Sequence, residues 1–142
     1  MGLIHPSECS GFELEALEQS VAEDFAGVDA AKVLSECVVG GAQLWRVLVE
    51  NVARGILVTQ VREWPSGREL YVWHMGGEGI VKVMGQVQEK LEEYARACDC
   101  AWVRSLSRPG AGKLMRGLGY EVHAWMMLKQ LGEEKNGLAG RQ

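Results

Sequence analysis

The chain reads as an α+β (mixed α/β) protein. N-terminal helices lead into an antiparallel three-strand meander and a long central helix, and a strand, a helix and a strand then complete one mixed sheet. Three observations predict this. Apolar residues repeat at helical spacing before Gly40, then switch to a period of two in three successive runs between Gln43 and Met75. The cleanest amphipathic stripe of the chain, Ile80 to Cys98, follows at once. Two apolar segments, Cys100–Leu106 and Tyr120–Leu131, then flank a glycine-containing stretch.

The first helix is announced by Ser10-Gly11-Phe12-Glu13, a capping box in which the serine and glutamate side chains satisfy each other's backbone N–H groups. It is expected to run to Phe25, with Leu14, Leu17, Val21 and Phe25 on a buried stripe and the acids on the outer face. A second helix is expected from the cap Asp29 to Val39, with Val33, Leu34, Cys37 and Val38 inward and Gly40-Gly41 ending it.

The three period-two runs are Gln43–Glu50, Gly55–Glu63 and Glu69–Met75. Asn51–Arg54 joins the first pair and Trp64-Pro65-Ser66-Gly67 the second, links short enough for antiparallel neighbours. A long helix is expected from Glu78 to Cys98, its stripe formed by Ile80, Met84, Val87, Leu91, Tyr94 and Cys98. Strand Cys100–Leu106, a loop and helix over Ser107–Leu118 closed by Gly119, and strand Tyr120–Leu131 complete the order. Residues 1–131 form a single domain on this reading, and 132–142, almost without apolar residues, form a flexible tail.

Composition narrows the function. At 142 residues, with 47% hydrophobic and 24% charged positions, the chain supports one ordinary core. A net charge of -4 and a pI near 5.4 argue against a nucleic-acid binder, although Arg104, Arg108, Lys113 and Arg116 fall close together. No apolar run is long enough to cross a membrane, and the N-terminus lacks the pattern of a secretory signal, so the expected location is the cytoplasm of the cell that makes it. Cys9, Cys37, Cys98 and Cys100 lack C-x-x-C spacing and read as reduced thiols. His5, His74 and His123 show no ligand spacing, so no metal is expected. Gly110-Ala111-Gly112-Lys113 echoes a phosphate loop but continues with Leu114 where Ser or Thr is required. Four of the five tryptophans, Trp45, Trp73, Trp102 and Trp125, fall in expected strands and read as sheet packing; Trp64 falls in a turn.

The segment Glu69–Tyr94 carries the most chemistry: an alternating strand runs through a glycine cluster directly into the amphipathic helix. A glycine turn at a helix start lets a ligand's phosphates approach bare N–H groups, and the helix dipole favours negative charge there.

From Leu44 to Leu131 the element order resembles the GNAT acetyltransferase superfamily, and KLMRGLGYEVHAWMMLKQL resembles its closing helix, L-G-[FY] turn and apolar strand. The resemblance implies an acyl-coenzyme A site between the strand Glu69–Met75 and its splayed neighbour. The pyrophosphate would sit on a [QR]-x-x-G-x-[GA] loop, here Gly76-Gly77-Glu78-Gly79-Ile80-Val81. It implies cofactor contacts from Met75, Gly77, Gly79 and Ile80. The pattern departs at both ends of the loop, where Gly76 replaces a polar residue and Val81 a small one, and Glu78 adds a negative charge. The tyrosine that serves many family members as general acid would fall at Met115, which has no proton to donate. Base candidates are Glu63, Glu69 and His74, with His74 the catalytic choice because it lies beside the implied acyl site.

Within the superfamily the likeness is to small GNAT-like proteins of tailed bacteriophages, through Glu63-Trp64-Pro65-Ser66-Gly67, Gly76-Gly77, Arg108-Pro109-Gly110 and Gly119-Tyr120. That resemblance implies a GNAT fold with eroded cofactor and catalytic motifs and no required cofactor. It implies a structural or interaction protein contacting other virion proteins and incorporated into a phage particle, with open sheet edges that suit homo-oligomers. The alternative is an active acetyl-CoA-dependent N-acetyltransferase.

Overall fold

The structure is a computed structural model and describes residues 1–22, 26–107, 109–124 and 126–132. Its centre is a five-stranded sheet in the order β1 (Gly2–Leu3), β2 (Gln43–Val49), β3 (Val52–Trp64), β4 (Gly67–Gly77), β5 (Trp102–Ser105). The first four strands pair antiparallel, and β5 joins β4 in parallel through the crossover helix α3 (Met84–Ala97). This is the mixed α/β class expected, with β1 as an extra edge strand too short to leave a periodic signal.

Each face of the sheet carries its own core. On one, Trp45, Val47, Leu57, Leu70 and Val72 pack against Met84, Val87 and Leu91 of α3. On the other, Leu44, Ile56 and Val58 pack against α1 (Gly11–Val21) and α2 (Ala30–Val38) through Ala16, Leu17 and Val33. The strands alternate between two buried faces.

Ser10 and Asp29 cap α1 and α2 as their side chains dictate, and the Ser10/Glu13 capping box is complete. Three details of these helices differ from expectation. Leu14, expected on the buried stripe, is exposed at the stripe's edge while Leu17 and Val21 are buried. Glu13 is fully buried, because it falls one turn before Ala16 and Leu17 on the face of α1 that meets the sheet, where Arg46 pairs with it. Val38 is 60% exposed, since α2 ends there and has no further packing partner. The expected end of the first helix at Phe25 lies outside the described residues.

Between β2 and β3 the chain reverses in two residues, not four. Val49 pairs with Val52, and Glu50 and Asn51 hold positive φ of 53° and 64°, the conformation whose twist matches a tight hairpin. The long helix starts later than expected: Ile80–Val83 is a 3₁₀ turn, and regular α-helix begins at Met84. Ile80, Met84, Val87 and Leu91 are buried as their spacing requires.

Among the described residues the expected final strand does not form. After α4 (Gly112–Gly117), residues Tyr120–Ala124 and Met126–Leu131 carry no regular structure, and Val122, Met126, Met127, Leu128 and Leu131 are exposed. Alternation shows that a segment can fit a half-buried sheet, but a strand also requires a ladder partner, and among the described residues β5 pairs only with β4. Gly132 is exposed, and the rest of the expected tail lies outside the described residues.

Candidate functional site

The parallel ladder of β4 and β5 runs from Glu69–Trp102 to Val72–Ser105 and stops, while β4 continues beside β3 as far as Gly77. At that point β4 carries a bulge: Val58 faces His74 and Thr59 faces Val72, leaving Trp73 as the extra residue. A bulge bends its strand and increases local twist, so the two parallel strands diverge beyond Val72 and Ser105.

The divergence opens toward α3, but side chains fill it. Leu57, Val72, Met75 and Met115 close around a cavity of about 10 Å³, room for about one water molecule. Its polar lining is Ser105, Gln88 and Tyr120, whose hydroxyl donates to Gln88 Oε1 at 2.9 Å. Burial pushes the Tyr120 phenol above its ordinary value, and the Gln88 contact offsets only part of that. In the sequence Tyr120 stood out only as the aromatic of the L-G-[FY] turn, and Gln88 and Ser105 were passed over. Gln88 is a buried amide on the apolar stripe of α3, which was the available signal.

The glycine loop is shaped from both sides. A Cβ on Gly76 would stand 2.5 Å from the Ala16 carbonyl of α1, and one on Gly77, at φ 137°, would collide with the Arg54 carbonyl of β3. These glycines are therefore packing requirements where α1 and β3 close on the end of β4. Gly79, at φ 71°, caps the 3₁₀ turn without a side-chain hydrogen bond and has open space around it. The Glu78 N–H donates to Arg54 O and the Lys82 N–H to Gly79 O. The N–H groups of Gly79, Ile80 and Val81 have no acceptor among the described residues. Val81 is 66% exposed, so its side chain stands in solvent.

The residues singled out in the sequence separate onto two faces. Met75 lines the cleft, and Gly77, Gly79 and Ile80 belong to the loop, with Ile80 buried in the α3-side core. His74 is buried opposite Val58 on the α1/α2 side, its ring 4.9 Å from that of Trp73. Met115 reaches the cleft.

Glu63 is exposed and lies 3.4 Å from Arg68. Glu69 is almost completely buried, accepting from Arg104 at 2.8 Å and Trp102 Nε1 at 2.9 Å. Burial pushes its carboxyl up, but the bonds from Arg104, Trp102 and Trp64 together outweigh this and hold it below the usual carboxylate value. It is committed to its neighbours.

The four cysteines are free thiols, and burial pushes Cys37 up to about 11. Among the described residues no cluster of three or more His, Cys, Asp or Glu could hold a metal, and no helix is long and apolar enough to cross a membrane.

No protein-family model and no curated protein matches the sequence. Solved structures match over nearly the whole chain. An acetyltransferase from Trypanosoma brucei aligns with a TM-score of 0.66 at 16% identity, over 92% of this chain and 97% of its own. Glucosamine-6-phosphate N-acetyltransferase from Arabidopsis thaliana aligns at 0.68 and 11%, over 92% and 97%. The aminoglycoside N-acetyltransferase AAC(6')-Iy in complex with CoA aligns at 0.59 and 14%, over 83% and 88%. This chain has the fold of the GNAT acetyltransferases.

Proposed function

We propose, from this GNAT fold and the geometry of its diverging strands, that the protein is an acyl-coenzyme A-dependent N-acyltransferase. One observation carries the reading: the β4–β5 ladder ends at Val72–Ser105 while β4 runs on into a glycine turn with three unengaged N–H groups. Those groups suit a pyrophosphate, which needs backbone donors at close range. The N–H groups of Gly79, Ile80 and Val81 would hold it, and Met75 and Met115 would flank the thioester arm. The arm needs these two side chains to move, which their three flexible torsions permit.

Bound acetyl-CoA would supply an activated thioester. The chain's own part is to align a neutral amine with it, exclude water and deliver a proton to the departing sulfur. Position 115 has no hydroxyl, so the proton stands instead on Tyr120 Oη, the phenol in the cleft. A phenol shifted upward by burial stays protonated at neutral pH and can act as an acid. His74 lies on the opposite face, where it would meet the amine through water.

A second reading rests on a different observation, the filled cleft with a methionine at the acid position. In it the fold serves as a binding scaffold, virion-associated, with the exposed apolar residues of 120–131 meeting a protein partner or another copy of the chain.

Titration calorimetry with acetyl-CoA separates the two. Dissociation constants of about 1–100 μM, lost in Gly79→Glu, support the transferase. Absence of heat at about 1 mM ligand overturns it and leaves the scaffold.

A further inference from the structure

On the α1/α2 side of the sheet, beyond the strand residues those helices cover, one group of side chains packs on itself, with Glu69 and Tyr71 buried beneath the exposed Trp64, Trp102 and Arg104. Arg62, Trp64, Glu69, Tyr71, Trp102 and Arg104 share this face, because Arg62 is paired with Glu69, Glu69 with Trp102, and Tyr71 with Arg104. Tyr71 sits on the central strand, and guanidinium groups reach its ring from both neighbours: Arg62 at 4.1 Å and Arg104 at 5.4 Å. Arg104 also lies 5.6 Å from the Trp64 ring. Trp64 is 47% and Trp102 36% exposed.

Two cations face one carboxylate here, and that carboxylate is spoken for. Glu69 accepts from Arg104 and Trp102, while Arg62 forms no ion pair among the described residues and donates through Nη2 only to Gln60. Stacking on an aromatic ring fixes a guanidinium and leaves its N–H edge free for a carboxylate or phosphate. The cluster also has a defined position. Tyr71–Arg104 is the ladder rung next to Val72–Ser105, where the strands part.

We propose that this face is the acceptor subsite and that it selects a small primary amine carrying an anionic oxygen group, with Arg62 as the anion ligand. The identity of the amine as acyl acceptor rests on the transferase reading; the anion site does not. Tyr71 and His74 lie opposite Gln60 and Val58, two residues apart on β3, so at about 3.3 Å per strand residue the anion and the nitrogen stand roughly 7 Å apart.

The test titrates the full chain with 5-aminopentanoate, 3-aminopropyl phosphate and pentylamine, following Trp fluorescence and ¹⁵N shifts, with and without acetyl-CoA. The anionic amines are expected to bind at least about tenfold more tightly than pentylamine, with Arg62→Ala erasing the difference and Arg62→Lys restoring part of it. Whichever of carboxylate and phosphate binds better identifies the group. Equal affinity for pentylamine, no binding of any amine, or a preference that survives Arg62→Ala in a folded protein overturns the proposal. A preference for anions without acetyl-CoA binding sinks the transferase reading and leaves the anion site standing. Acetyl transfer to pentylamine and 5-aminopentanoate at equal KM does the reverse.

Discussion

Arg46 of β2 grips Glu13 of α1 through two donors, Nε to Oε2 at 2.5 Å and Nη2 to Oε1 at 2.8 Å. The same carboxylate accepts the Ser10 N–H, so one buried group caps the helix and ties it to the sheet.

Removing either partner should have unequal consequences. Arg46→Ala leaves the Glu13 charge buried without its cation and is expected to cost about 2–4 kcal/mol. Glu13→Gln keeps part of the cap and removes the charge, and should cost about 1–2 kcal/mol. Urea unfolding at neutral pH measures both, and the order reversed would show that Arg46 contributes little to holding α1.

Acid should weaken the fold through Glu13 and Glu69, both held below their ordinary value of 4.5. For Glu13 the main cause is the Arg46 hydrogen bond, set against burial. A depressed carboxyl stabilises above its unfolded value and loses that contribution as pH falls through the folded one. Stability should therefore fall below about pH 4.5, and Glu13→Gln with Glu69→Gln should flatten the decline. A double variant with the same pH slope as the parent would place the acid sensitivity elsewhere.

The loop glycines should separate by environment. Gly76→Ala drives a methyl into the Ala16 carbonyl at 2.5 Å and should cost about 2–3 kcal/mol or shift α1. Gly79→Ala meets nothing within 4 Å and bears only the strain of φ 71°, about 1–2 kcal/mol. Thermal denaturation distinguishes them, and equal losses would contradict the packing role of Gly76.

Tyr120→Phe should lower the rate of acyl transfer by roughly 10²–10⁴-fold while leaving acetyl-CoA affinity intact. Because its phenol lies above the ordinary 10.0, the parent's rate should decline only in strongly alkaline solution. Unchanged kcat in Tyr120→Phe would remove Tyr120 from proton delivery.

The strand-turn-helix junction at Glu69–Tyr94 was legible because each element carries its own period and cap. The role of its glycines was not. Read along the chain, Gly76-Gly77 suggests a phosphate turn; in space, those two positions are where α1 and β3 leave no room for a Cβ. Tyr120 was hidden for the same reason, since its meeting with Gln88 joins residues 32 positions apart.

By itself the sequence determined the helices and their caps, the meander and the face most apolar residues take, Leu14 and Val38 excepted, because these depend on neighbours within a few positions. Tertiary structure decided that the β4–β5 ladder stops at Val72–Ser105, that Glu13 is buried, and that the bulge at Trp73 brings His74 onto the same face as Tyr71. It also left the described residues of Tyr120–Leu131 without a ladder, although their alternation is that of a strand. These outcomes depend on which backbones approach one another, and local periodicity carries no record of that.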